Sequence, residues 1–381
     1  MTTDKAHSAS AQDILERPEG SLIAGMRALP LAKILLQYWS HVAPENRKIA
    51  VLNLLKGIAV REPLRLFSSL LHGRKIAQTE ISQPPLFVLG HWRSGTTYLH
   101  ELLALDPKHI VPNTLECFGP DHFILLEDRL LKRDKTTKRA MDNVEVSLRT
   151  PQEDEFALMN MGIPSPYLRI IFPNAWPIPN LDWLTLEPLT EKQKMQWQDA
   201  LSLFCKRLTY FKGDKRLVLK SPPHTARIPV IKAIFPEARY LFLSRNPLNV
   251  IPSTMKTWEL LSRRHGLSQP LEETLVKSFD EALESYQLVH EAYERGKALL
   301  NPNQIIEVRY EDLIANPVQT LQNCYDHLGL GDLEPLKKKL LERQKREKNY
   351  ASGLYQLNPQ QEEKIKATLK PWFARFGYEE Q

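Results

Sequence analysis

"GHWRSGTTYLH", residues Gly90 to His100, follows the apolar run "PLFVLG" (85–90) and leads into a helical pattern, and its reading decides the fold. Gly90 and Gly95 stand at the spacing of the phosphate-binding loop G-x-x-x-x-G-K-[ST], and Thr97 fills its last place, but Thr96 sits where the lysine belongs. Delivered by a buried strand to a helix start, such a loop points the backbone N–H groups of Ser94, Gly95, Thr96 and Thr97 at an anion, and the helix dipole assists. Arg93 places positive charge inside the loop, unlike an ATPase, and no Walker-B-like aspartate closes a strand to hold magnesium. Standing alone, the stretch is also compatible with a plain strand-to-helix turn that holds nothing.

Outward from the loop, "RLVLK" (216–220), "RYLFLS" (239–244) and "IIEVRY" (305–310) are further short apolar runs that end in polar turns, the signature of buried strands. Helical patterns such as "TARIPVIKAIF" and "NPVQTLQNCYDHLGL" lie between them. The alternation predicts an α/β fold, a central parallel β-sheet flanked by helices. Residues 1–80 read as an N-terminal helical segment and 81–330 as the core. Within the core, 121–215 is an insertion rich in Pro and aromatic residues, expected over the ligand crevice, and 331–381 is a basic then aromatic tail.

At 381 residues, 42% hydrophobic and 25% charged, the chain can bury a large core and is not a disordered polymer. A net charge of +6 suits an anionic small ligand, and equally serves solubility. No Lys/Arg block with interleaved aromatics supports nucleic-acid binding. Cys117, Cys205 and Cys324 form no CxxC pair and no zinc-like spacing, so no metal site is expected and a reducing compartment is. The polar start has no signal-peptide core, and "SLIAGMRALPLAKILLQYW" (21–39) is broken by Arg27, Pro30 and Lys33, short of a spanning helix. A cytoplasmic protein without a transmembrane segment is expected. Segment 21–40 should pack onto the main domain, with contact to a membrane surface as the alternative.

A second constellation follows "RYLFLS": Arg245 at a strand end, and Ser253 near a helix start where Pro252 suits the first turn. An arginine fork and a serine so placed can clamp a second phosphate at the other end of one ligand. Together with "FVLGHWRSGTTYLHELLALDP", "LVLKSPPH", "FPEARYLFLSRNPLNVIPS" and "VRYEDLIANPVQTLQNCYDHLGL", in that order over roughly 85–330, this resembles the sulfotransferases that use 3′-phosphoadenosine 5′-phosphosulfate (PAPS) and carry an arginine-type phosphosulfate loop. The resemblance implies a sheet of P-loop kinase ancestry. It also implies that Arg93, Ser94, Gly95, Thr96 and Thr97 hold the 5′ end of PAPS, that Arg245 and Ser253 hold the 3′ phosphate, and that Tyr310 sits near the nucleotide. Lys348 and Tyr350 resemble the cofactor-closing loop.

Sulfuryl transfer needs an acceptor in line with the breaking S–O bond, a base for its proton, and cations over the developing charge. Arg93 and Lys220 are the candidate cations, and they make a metal unnecessary. Glu116, in "NTLECFGP", resembles the glutamate base of many arginine-loop members. His224, in "KSPPH", competes for that role, although it lies further beyond the lysine than in the family's histidine-using members. "PQEDEF" adds Glu153, Asp154 and Glu155, which also read as helix N-terminal charge. The expected acceptor is a hydroxyl or amine of a small or lipid-like molecule, with Tyr167, Phe172, Trp176 and Trp183 as candidate pocket walls. The alternatives are a nucleotide-dependent kinase of related fold and a non-catalytic nucleotide-binding protein.

Overall fold

Strand β1 (Leu86–Leu89) is completely buried, because it lies in the middle of a sheet covered on both faces. The computed structural model describes residues 22–138, 145–347 and 357–378; Lys348 and Tyr350 lie outside these. Beyond β1 come β2 (His109–Ile110), the two-residue strands β3 (Thr137–Lys138) and β4 (Glu145–Val146), then β5 (Arg216–Lys220), β6 (Arg239–Ser244) and β7 (Ile305–Arg309). Five of them form one parallel sheet in the order β2-β5-β1-β6-β7, while β3 and β4 pair antiparallel by themselves. The four apolar runs of the sequence are thus four adjacent parallel strands. The fifth, β2, has two residues and no periodicity that could announce it.

Alternation along the strands sorts their side chains into two cores. Phe87, Leu89, Leu219, Tyr240 and Phe242 pack with Trp197, Phe204 and Tyr286 on one face. Leu86, Val88, Val218, Leu241 and Leu243 meet Leu99, Leu321 and Leu328 on the other. Register keeps each strand end within two residues of its neighbour's: Val88 pairs with Lys220 and Leu89 with Phe242, while Ser244 pairs with Arg309. Gly90, Ser221, Arg245 and Tyr310, the first residues beyond the four strands, therefore emerge along one carboxyl edge, where open α/β sheets bind ligands.

The insertion is more helical than its composition suggests. Its last part is a 22-residue helix, Glu191–Lys212, opened by a capping box between Thr190 and Gln193 and packed on the sheet through Trp197, Leu201 and Phe204. Pro252 is not in a first turn. The helix Pro247–His265 starts at Pro247, with Asn246 capping the Leu248 N–H at 2.9 Å, so Pro252 and Ser253 lie in its interior. Segment 28–37 is a helix that buries Leu31 and Leu35 against the main domain. Among the described residues no helix is long and apolar enough to cross a membrane.

Candidate active site

The loop after β1 is built around two glycines. Gly90 has φ 146°, and a Cβ there would fall 2.6 Å from the Leu243 carbonyl oxygen. Gly95 has φ 97°, and a Cβ there would fall 2.2 Å from the Tyr310 ring. Thr225 braces the entrance: its Oγ1 accepts the Gly90 N–H (2.8 Å) and donates to the Gly90 carbonyl (3.1 Å). Ser94 closes the turn by donating its N–H and hydroxyl to the His91 carbonyl, at 3.2 and 2.8 Å. Its N–H, expected to face an anion, is thus engaged within the loop. Arg93 adopts φ 66°, a conformation that costs a non-glycine residue free energy and is held by its neighbours. No side chain caps the helix Thr96–Leu103 that follows.

Arg93, Ser253 and Arg245 converge on this loop. Arg93 Nε donates to Ser253 Oγ (2.9 Å), and Arg245 Nη1 donates to the Arg93 carbonyl (3.0 Å). The Arg245 guanidinium lies over the Tyr310 ring, 4.4 Å from its centroid. Two guanidinium groups, a hydroxyl and an aromatic face thus meet at adjacent strand ends.

Lys220, 3% exposed at the end of β5, donates to Glu153 Oε1 (2.7 Å) and to Thr97 Oγ1 (3.3 Å), so it stands between the loop and the insertion. The Tyr167 hydroxyl donates to Glu153 Oε2 and accepts from Trp92 Nε1–H (3.0 Å). Burial, then the Glu153 charge, push the Tyr167 phenol well above its usual range, so it remains a donor. Glu153 immediately precedes helix Asp154–Asn160, but its side chain makes no cap hydrogen bond there. The next two residues anchor that helix: Asp154 bonds His224 Nε2 (2.5 Å) and Ser221 Oγ (3.1 Å), and Glu155 holds Arg227 Nη1 (2.5 Å). Burial opposes charge on Asp154, but His224 and the Ser221 hydroxyl outweigh it and hold the carboxyl below its usual range. Burial and the Lys220 charge take His100 down to about 3, so Lys220 has a neutral neighbour.

Neither leading base candidate joins this cluster. His224 is 0% exposed, edge-on to the Phe87 and Trp197 rings and bonded to Asp154. Glu116, also fully buried, completes the capping box of helix Thr114–Phe118 by accepting the Asn113 N–H (2.7 Å), and it pairs with Lys212 Nζ (2.6 Å). Of the four aromatic candidates, Tyr167 is at the site; Phe172 and Trp183 are core, and Trp176 is exposed beneath Lys277.

Beside Glu116, burial and the Glu116 charge raise Glu127 to about 7 from 4.5. The folded chain then binds a proton that the unfolded chain has released, so stability falls as pH rises from about 4.5 to about 7. In Glu127→Gln this component of the decline should vanish from the pH dependence of the melting temperature. An unchanged profile would show that Glu127 titrates normally.

Comparison with known proteins shows the family of the chain. A family model described as "Sulfotransferase family" matches residues 84–335. The omega-hydroxy-beta-dihydromenaquinone-9 sulfotransferases Stf3 of Mycobacterium tuberculosis and Mycobacterium bovis are 38% identical to the chain over 322 residues, 84% of this chain and 82% of theirs. In structure, the fold is similar to sulfotransferase STF9 of Mycobacterium avium (TM-score 0.63, 16% identity, 89% of this chain and 87% of that one). It is also similar to sulfotransferase STF1 of Mycobacterium tuberculosis (TM-score 0.57, 18% identity, 97% and 99%).

Proposed function

Because the chain belongs to the sulfotransferase family and is a sulfuryl-transferring enzyme, we propose that it draws the group from PAPS and passes it to a hydroxyl of a lipid-like acceptor. The observation that carries the donor is the meeting of Arg93, Arg245, Ser253 and Tyr310 against an uncapped helix start. The glycines let the loop backbone pack against the Leu243 carbonyl and the Tyr310 ring, which fixes the turn that leads into this helix start. In this reading Arg93, Gly95, Thr96 and Thr97 bind the 5′ end, with Ser94 shaping the turn, and Arg245 and Ser253 bind the 3′ phosphate. Tyr310 supports the nucleotide. The name of the Stf3 relatives supports a lipid-like hydroxyl acceptor. The buried, unbridged Cys117, Cys205 and Cys324 support a reducing, cytoplasmic setting.

PAPS supplies an activated sulfuryl group that carries less charge than a terminal phosphoryl, so fixed cations suffice without a metal. Lys220 and Arg93 are those cations in our reading. Glu153 takes the acceptor proton in place of Glu116 or His224, because its carboxylate bridges Lys220 and Tyr167 whereas the Glu116 carboxylate and the His224 imidazole are bound into the fold.

The test is ligand-induced stabilisation. At a hundredfold excess over its dissociation constant, 3′,5′-adenosine bisphosphate should stabilise the chain by about 2.7 kcal/mol. Stabilisation by ATP with none by the bisphosphate would remove the donor assignment. Arg245→Ala should weaken the bisphosphate by roughly 1.5 to 3 kcal/mol, the value of a lost charged hydrogen bond, and leave 5′-AMP nearly unaffected. Equal losses for both would take Arg245 off the 3′ phosphate.

A further inference from the structure

Helices Pro44–Lys56 and Glu62–Gln78, joined without interruption through the π turn Gly57–Arg61, are built inside out. The first buries only Asn46 and Ala50, and the second only Ser68 and Ile76. Their large apolar side chains face outward instead: Leu52, Leu55 and Ile58, then Leu66, Phe67 and Leu70, recur at spacings of one helical face and are all exposed. Leu70 is 84% exposed, and Leu36, on the preceding helix, is 81% exposed. Scattered exposed leucines are ordinary, but a stripe of them along one long helical run marks a surface that another apolar phase covers.

The charge around the stripe says which phase. Residues 28–78 carry eight basic and two acidic side chains, an excess equal to the +6 of the whole chain, so the remainder is electrically balanced. Lys48, Lys56, Arg74 and Lys75 are exposed beside the leucines, whereas Glu62 is engaged by Arg65 at 2.7 Å. A second copy of this face would bring like charges together. A bilayer with anionic headgroups instead accepts the leucines among its acyl chains while the lysine and arginine stems reach up to phosphates. The run Pro44–Gln78 would lie in the plane of the membrane for about 50 Å, at 1.5 Å per residue. Trp39, partly exposed at 37%, suits the interfacial level.

We propose that this layer docks the protein on an anionic phospholipid surface. The layer backs directly onto the wall that carries Tyr167. Tyr38 stacks on Phe172 with centroids 4.9 Å apart, and the Arg27 N–H donates to the Asn160 carbonyl at 3.0 Å. Docking would therefore hold the Glu153–Tyr167 side of the site near the lipid. The attachment itself stands whether or not the acceptor is a lipid, because it rests on the outer face of the helices alone.

Flotation of the full chain with phosphatidylcholine vesicles, with and without phosphatidylglycerol, tests it. The chain should float with the phosphatidylglycerol vesicles and about tenfold less with the neutral ones, and the double variant Leu36→Glu/Leu70→Glu should lose at least about tenfold of that binding. Lys48→Glu/Lys56→Glu should weaken capture by anionic vesicles without changing capture by neutral ones. Melting temperature and bisphosphate binding, measured in parallel, should be unchanged in both variants, which separates lost docking from lost folding. A chain that remains unbound with anionic vesicles would overturn the proposal, as would leucine variants that float like the parent. Concentration-dependent self-association that Leu70→Glu abolishes, without vesicle capture by the parent, would reassign the face to an interface between copies.

Discussion

Glu153→Gln should lower single-turnover sulfuryl transfer by about 10² to 10⁴, the scale of general-base catalysis, with bisphosphate binding within about twofold of the parent. Glutamine keeps the shape of the side chain and an oxygen for the Lys220 ammonium, so what it removes is the basic carboxylate. Tyr167→Phe deletes only the hydroxyl that steadies Oε2 and should cost roughly 10- to 150-fold, the value of one hydrogen bond to a charged group. Glu116→Gln and His224→Asn make the contrasting pair. Each disturbs buried contacts, the Asn113 and Lys212 partners or the Asp154 bond, and should lower the melting temperature more than the rate of the folded fraction. A near-normal rate in Glu153→Gln beside a collapse in His224→Asn, with folding intact, would return the base to the histidine.

The strands that carry the site were legible because a parallel sheet buried on both faces leaves continuous apolar runs, and the polar residue ending each run marks its carboxyl edge. The same reasoning could not pair Arg93 with Ser253, 160 positions apart, since that contact depends on β1 and β6 lying side by side in the sheet. Glu116 shows a different limit. "NTLE" is also a capping-box pattern, and the folded chain uses it as one, an engagement that the family resemblance does not reveal. Glu153 was read as helix N-terminal charge, and its neighbours Asp154 and Glu155 do lie in the first turn. Only the approach of β5 shows that Glu153 turns away to Lys220. The helical character of residues 1–80 was likewise visible, but helical spacing states that an apolar stripe exists and not which phase it meets. Burial of Asn46 and Ser68 in place of the leucines is a tertiary fact.

Lys220→Met should reduce turnover by about 100-fold or more, the cost of removing one donor aimed at developing charge. Two effects contribute and can be told apart. The first is direct, since the ammonium at the start of the loop helix, 3.3 Å from Thr97 Oγ1, no longer meets the charge on the transferred group or its leaving oxygen. The second acts through Glu153, whose Oε1 loses a cation 2.7 Å away. Bisphosphate affinity should fall far less than turnover, because Arg245 and Ser253 remain. If Lys220 and Glu153 act as a unit, the double variant Glu153→Gln/Lys220→Met should be little slower than the worse single variant. Independent roles would instead multiply the two losses. Parent activity should persist in EDTA, the fixed cations supplying the charge, and loss on chelation with recovery in magnesium would show that Lys220 shares that task with a metal. Losses that multiply in the double variant, with Glu153→Gln inactive, would confine the lysine to the transferred group and separate it from the base.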